Sequence, residues 1–205
     1  AGEVVGWYTI PYSGSGCSQS DWNAWTSAAE QAAIAAGVSV SSYPHLIYMW
    51  NSPAGCTSGG WATIGGNPTK AWIVGWANAP GIIAHEFGHN LQAHHAQLIN
   101  CLAAIGNYST CTLDEYGDTS DVMGNPWNTY NQFIAARKWG ETWLASGNVQ
   151  TATTNDTYTV STSETNDGSV KVLKIAKPDT GEAYYISYRQ PSGFDASLPA
   201  GFVNG

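Results

Sequence analysis

The feature that most constrains this chain is the segment His85-Glu86-Phe87-Gly88-His89-Asn90-Leu91-Gln92-Ala93-His94-His95, which holds four of its five histidines. His85 and His89 are four residues apart, so on a helix both project from one face and can present a ring nitrogen to one cation. At about 100° per residue, Ile83, Phe87 and Leu91 fall on the opposite side. The spacing therefore predicts a helix over 78–92, with Pro80 near its start, that buries one face and coordinates from the other. Zinc suits neutral imidazoles, and a catalytic zinc site takes three protein ligands with one position left for water. Two histidines are one short, and His95 and His94 are both near enough in sequence to complete the set. Glu86, beside the first histidine, is the candidate general base: it would take a proton from the attacking water and deliver it to the leaving group.

The rest of the chain fits an extracellular setting for such a site. With 205 residues and 43% hydrophobic content it can bury a full core. Only 11% of residues are charged while 10 Trp and 11 Tyr are present, which predicts stability from packing more than from ion pairs. The net charge is -8, and residues 1–136 contain Lys70 as their one Lys or Arg. No basic stripe exists to neutralise phosphates or anionic lipid, so neither a nucleic-acid nor a membrane partner is expected, and a soluble monomer is the plain reading. Cys17, Cys56, Cys101 and Cys111 form an even set without C-x-x-C spacing, which favours disulfides over a structural metal knuckle. Of the three connectivities, Cys17 with Cys56 and Cys101 with Cys111 is expected, because each pair staples one loop-rich stretch. Disulfides imply an oxidising compartment, so the chain reads as secreted, with any export signal and propeptide already removed.

Along the chain, residues 3–10 alternate and are rich in β-formers, predicting a first strand. Ser18 and Asp21 have capping-box spacing ahead of Trp22, Trp25, Ala29, Ala33 and Ala36, with Gly37 as a stop, predicting a long backing helix. Residues 45–50, 60–64 and 71–76 read as three strands of one sheet. Lys70, at the head of the third, suggests a guarded edge strand. After the histidine segment an irregular stretch carries two cysteines, then Asn125-Pro126 opens a helix running to about Lys138 and ended by Gly140. No Trp occurs beyond Trp143, and the chain turns Thr-, Ser- and Val-rich, with strands expected near 148–153, 157–162, 169–176 and 183–189. This predicts an α+β fold with domains at 1–146 and 147–205, the second a partial β-sandwich-like unit ending at Gly205.

With these residues in view, the chain resembles the metzincin zinc metallopeptidases, and most of all their gametolysin group. The metzincin pattern H-E-x-x-H-x-x-G-x-x-H takes its third ligand six residues after the second, which makes His95 the third ligand here. Glu115-Tyr116-Gly117-Asp118-Thr119-Ser120-Asp121-Val122-Met123-Gly124 resembles that group's Tyr-Gly-Asp segment leading into the Met-turn, with Met123 as a packing floor and not a ligand. The resemblance implies a twisted mixed sheet, a backing helix, an active-site helix, a Met-turn and a C-terminal helix. It also implies a protein or peptide substrate lying extended along the third strand, and a pocket wall around 124–130 that includes Trp127 and Tyr130. Two departures stand out. Gln92 replaces the Gly at which the family leaves its helix, where a positive φ is often needed. Asn125 stands where several metzincins have an oxyanion-binding Tyr, leaving Tyr116 and Tyr130 as candidate donors.

Two other readings compete. A site whose third ligand is a downstream carboxylate such as Glu115 would need a second helical motif, which the Gly/Asp-rich segment lacks. A zinc-stabilised binding or adhesion module would use the many aromatics on glycans, but a structural zinc site closes with four ligands and has no use for Glu86 beside an open position. Calcium is a further candidate cation without a D-x-D-x-D-G loop to hold it; Asn155-Asp156 and Asn166-Asp167-Gly168 read as turns.

Overall fold

The computed structural model describes residues 2–12, 15–51, 53–75, 80–101, 110–125 and 131–198, and the chain divides into two units, residues 1–94 and 95–205. In the first unit, the expected strand at 3–10 is absent. Gly6 takes a φ of 101° and interrupts the extended run, and Val4 and Trp7 are exposed. Alternation prepares a side-chain face, but a strand needs a neighbour to receive its N–H and C=O groups.

Helix α1 (Gln19–Ala35) begins at the expected capping box. The Asp21 N–H donates to Ser18 Oγ at 3.3 Å, and the Ser18 N–H donates to Asp21 Oδ2 at 2.8 Å. The Ser18 hydrogen bonds hold the Asp21 carboxyl below the usual carboxylate range. The helix lays Trp22, Trp25 and Thr26 on a three-stranded sheet of β1 (His45–Trp50), β2 (Gly60–Ala62) and β3 (Thr69–Val74). The order is β1-β3-β2, with β1 parallel and β2 antiparallel to β3.

The third run is therefore the central strand and not an edge. Ala71, Ile73 and Val74 have no exposed surface, the continuous burial of a strand covered on both faces. Lys70 guards nothing: its Nζ pairs with Glu30 of α1 at 2.8 Å and lies 5.9 Å from the Tyr48 ring centroid. Strand alternation divides the packing. Trp72 and Val74 join Trp22 and Trp25 against α1, with Tyr48, Trp50 and the Cys17–Cys56 disulfide around them. Trp72 Nε1 donates to Thr26 Oγ1 at 2.6 Å, which satisfies the indole inside the core. Ile73 meets Ile82 and Ile83 of helix α2 (Pro80–Asn90) with Met49. The expected start of α2 at 78 and the expected strand end at Trp76 lie outside the described residues.

In the second unit, the cysteine-bearing stretch read as irregular contains a hairpin of β4 (Leu98–Cys101) and β5 (Cys111–Asp114). Its end pair, Cys101 and Cys111, is also the second disulfide. Both disulfides have the expected partners. The hairpin escaped notice because its strands are short and mostly exposed, without an alternating apolar face.

Helix α3 (Ala135–Gly140) is shorter than expected. The Gln132 and Ile134 N–H groups donate to the carboxylates of Asp195 and Asp121, each at 2.8 Å, so the helix starts only at Ala135. Pro126, Trp127 and Tyr130 lie outside the described residues.

The remaining strands, β6 (Val149–Ala152), β7 (Val172–Lys177) and β8 (Glu182–Ser187), form one sheet in the order β6-β7-β8, parallel then antiparallel. The strand expected at 157–162 is reduced to a single bridge, Thr162 to Tyr188. Lys171 holds that region instead, donating to the Thr162 carbonyl at 2.8 Å and pairing with Asp167 at 2.9 Å. Among the described residues the C-terminal strands thus make a single sheet and no sandwich. The fold is α+β with several small sheets. No helix among the described residues is long and apolar enough to cross a membrane.

Candidate metal centre

The end of α2 is pinned to the β2–β3 connection. Asn90 Nδ2 donates to the Lys70 carbonyl at 2.9 Å and the Thr63 carbonyl at 3.1 Å, and the Gly65 N–H donates to the His89 carbonyl at 2.9 Å. The fully buried face of the helix carries Ile82, His85, Glu86, His89 and Asn90, whereas Ile83, Phe87 and Leu91, expected to form the buried stripe, are only half-buried. The helix thus buries the face that carries its chemistry more deeply than its apolar stripe.

Gln92 explains how the chain leaves this helix without the usual Gly. It adopts a φ of 69°. The Gln92 N–H donates to the His89 carbonyl at 2.9 Å and the Ala93 N–H donates to the Gly88 carbonyl at 3.0 Å. That pair of bonds is a Schellman stop with glutamine in the left-handed position. The turn brings the Ala93 carbonyl to 2.7 Å from His89 Nδ1. A carbonyl can only accept, so Nδ1 carries the proton and the Nε2 lone pair is left for a ligand role.

His95 is held in the same way. Its Nδ1 lies 2.6 Å from Glu115 Oε1, and its ring centroid is 4.1 Å from that of Tyr116. A carboxylate on the far nitrogen fixes the ring and raises its basicity toward a metal. Glu115, the carboxylate of the rival ligand set, therefore faces the back of His95. The His85 and His89 rings stand nearly perpendicular, with centroids 4.9 Å apart. One potential ligand atom from each of His85, His89 and His95 lies within 4.8 Å of the other two. His94 is exposed and stands outside this group. Three imidazoles, with Nδ1 of His89 and of His95 held by oxygen partners, fit a zinc-type cation.

Glu86 is 7% exposed, and burial pushes its carboxyl up to about 8. A cation on the neighbouring histidines would oppose that rise. The Met123 segment supports the residue after His95: the Ala96 N–H donates to the Met123 carbonyl at 2.8 Å, and the Asp118 N–H to the Ala96 carbonyl at 3.1 Å. Met123 is fully buried, and Asp121 Oδ1 accepts its N–H at 2.7 Å. Gly124 is dictated by close approach, since a Cβ there would lie 1.9 Å from the Asp118 carbonyl oxygen.

Sequence reasoning missed three contributors: the Ala93 carbonyl, the orienting role of Glu115, and Gly60 of β2, which meets Glu86. The position of Glu115 immediately before the Tyr-Gly-Asp segment was the available signal for the second. No local pattern marks the other two.

The family model for gametolysin peptidase M11 matches residues 3–205. No curated protein and no solved structure matches the chain.

Proposed function

The chain belongs to the gametolysin peptidase M11 family, and on that premise we propose that it is a secreted zinc-dependent endopeptidase of metzincin type. The observation that carries this reading is the convergence of the His85, His89 and His95 ligand atoms beside the buried Glu86. His85, His89 and His95 would hold the ion, with the Ala93 carbonyl and the Glu115 carboxylate keeping the His89 and His95 rings in their tautomers. Zinc, when bound, supplies Lewis-acid polarisation of a scissile carbonyl and acidifies water. Glu86 accepts the proton of the attacking water and returns it to the amine nitrogen as the C–N bond breaks. Its burial suits a carboxyl that must hold that proton in between.

The substrate is a protein or peptide chain lying extended. Because β3 is internal, the strand that serves it is β2, an end strand of the sheet whose Gly60 meets Glu86. Residues 1–146 act as the catalytic domain and 147–205 as a β-rich C-terminal unit. Met123 is the Met-turn residue. Two disulfides support an extracellular setting.

Two substitutions test this reading. Glu86→Ala is expected to retain one zinc per chain by metal analysis while hydrolysis of a protein substrate falls by at least about 100-fold, within the range typical of general-base catalysis. Persistent cleavage would remove Glu86 from the mechanism. His95→Ala is expected to lose tight zinc binding; unchanged zinc content would overturn the ligand set. A zinc-stabilised adhesion module remains the competing function, and it predicts zinc binding with no chelator-sensitive proteolysis in the unaltered protein.

A further inference from the structure

Gly60 sits where β2 faces the active-site helix. A Cβ built on it would lie 2.7 Å from Glu86 Cγ, 2.8 Å from Glu86 Oε1 and 2.8 Å from the Trp72 carbonyl oxygen. All three distances are below what real Cβ atoms show, and the Trp72 oxygen belongs to the central strand, whose neighbouring residues Ala71, Ile73 and Val74 are fully buried. The strand cannot yield easily: Gly60 is in register with Ile73, and the Val74 N–H donates to the Gly59 carbonyl at 2.9 Å. At the other end of the connection, Asn90 and the His89 carbonyl fasten α2 to the same chain. The Glu86 side chain is what remains able to move.

We propose that Gly60 is a positioning residue for Glu86: the missing side chain on β2 creates the space in which the Glu86 carboxylate is held. The three atoms nearest to a Cβ at Gly60 belong to Glu86 and Trp72 and none to His85, His89 or His95, so a side chain there is expected to misplace the base without emptying the metal site. The inference rests on the proposed role of Glu86, and it assigns the end strand a second task besides pairing with substrate.

Gly60→Ala is expected to keep one zinc per chain and to lower kcat by about 100-fold, the scale of a displacement of about 1 Å at a reacting group, while KM changes by less than about threefold. The second readout is stability in the metal-free protein. Gly60→Ala should lower Tm in the parent and lower it less in the Glu86→Ala background, because removing the Glu86 side chain beyond Cβ removes two of the three close contacts. Gly140→Ala, where an added Cβ meets nothing within 4 Å, is the control for a generic glycine effect. If Gly60→Ala alone does not fold, recovery of folding in the double variant supports the proposal and failure of both overturns it. Parent-like kcat in Gly60→Ala, or an equal Tm loss in both backgrounds, also overturns it. If Glu86→Ala itself stays active, the reading of the site has failed instead, and the Tm comparison still reports on the packing.

Discussion

The aromatic cluster of the first unit and the buried ion-pair network of the second are held together by different means. Residues 1–94 are centred on Trp22, Trp25, Trp72 and Val74, ringed by further aromatics, with Trp22 and Trp25 meeting edge-on at 5.5 Å. Residues 95–205 bury Asp121, Lys171, Arg189 and Asp195. Arg189 Nε donates to Asp195 Oδ2 at 3.1 Å, Nη2 donates to Asp195 Oδ1, and Nη1 donates to the Ser120 carbonyl. Asp195 in turn accepts the Gln132 N–H, so Ser120, ahead of Met123, and Gln132, ahead of α3, are both tied to the Arg189–Asp195 pair. The aromatic core gains its stability from area and dispersion, terms that need no particular partner. The charged core gains little net energy from its pairs, but its geometry is strict, because a buried ion without its partner is costly. Composition predicts stability from packing more than from ion pairs, and the buried network of the second unit departs from that expectation.

Paired substitutions test this difference. Trp22→Ala is expected to destabilise by about 3–5 kcal/mol in denaturant unfolding, the usual cost of deleting a buried large aromatic, and no second deletion should restore it. Arg189→Met should cost about 3–5 kcal/mol by stranding Asp195. Arg189→Met with Asp195→Leu should recover most of that loss, since an apolar pair can replace a buried ion pair at little cost. If the double variant is as unstable as the single one, the value of the network lies in its bonds to Ser120 and Gln132 and in the pairing of Arg189 with Glu164 at 3.9 Å, and not in compensation between Arg189 and Asp195 alone.

The same contrast decides what was legible in the sequence. Interactions within one turn or one motif could be read: the Ser18–Asp21 box and the four-residue spacing of His85 and His89 follow from short-range geometry, whereas the Cys17–Cys56 bond, across a separation of 39 residues, was one choice among three connectivities. Strand existence was also readable at β1, β2 and β3, but not their order. Periodicity reports which faces are apolar and is silent on which neighbour a strand takes, so β3 was placed at an edge although it is central. The charged core was invisible for a related reason. Arg189 and Ser120 are 69 residues apart, and polar residues in a Ser/Thr-rich segment look the same whether they face water or a partner. At the candidate metal centre the grouping of His85, His89 and His95 could be read from residue type and spacing; the backbone oxygen of Ala93 and the absent side chain of Gly60 carry no such signature.

Gln92 gives the smallest expected effect and the finest test of the first unit. A non-glycine residue in the left-handed region costs roughly 1–2 kcal/mol, and Gln92 occupies it at 69° while closing both Schellman bonds. Glycine would relieve that strain but add unfolded-chain entropy worth about 0.4–1 kcal/mol, so Gln92→Gly should stabilise by between about 0 and about 1.6 kcal/mol. The side chain has a counterweight of its own: a Cβ at Gly65 would meet Gln92 Cγ at 3.0 Å, so the glutamine stem lies over the Gly65 turn whose N–H holds the His89 carbonyl. If that contact outweighs the strain, Gln92→Gly will unfold at lower denaturant concentration than the parent and bind zinc more weakly. Glutamine would then be retained at this position because it braces the turn between the second and third histidines. A gain in stability with unchanged zinc affinity would show instead that the bonds of the turn suffice, and that the side chain is merely tolerated there.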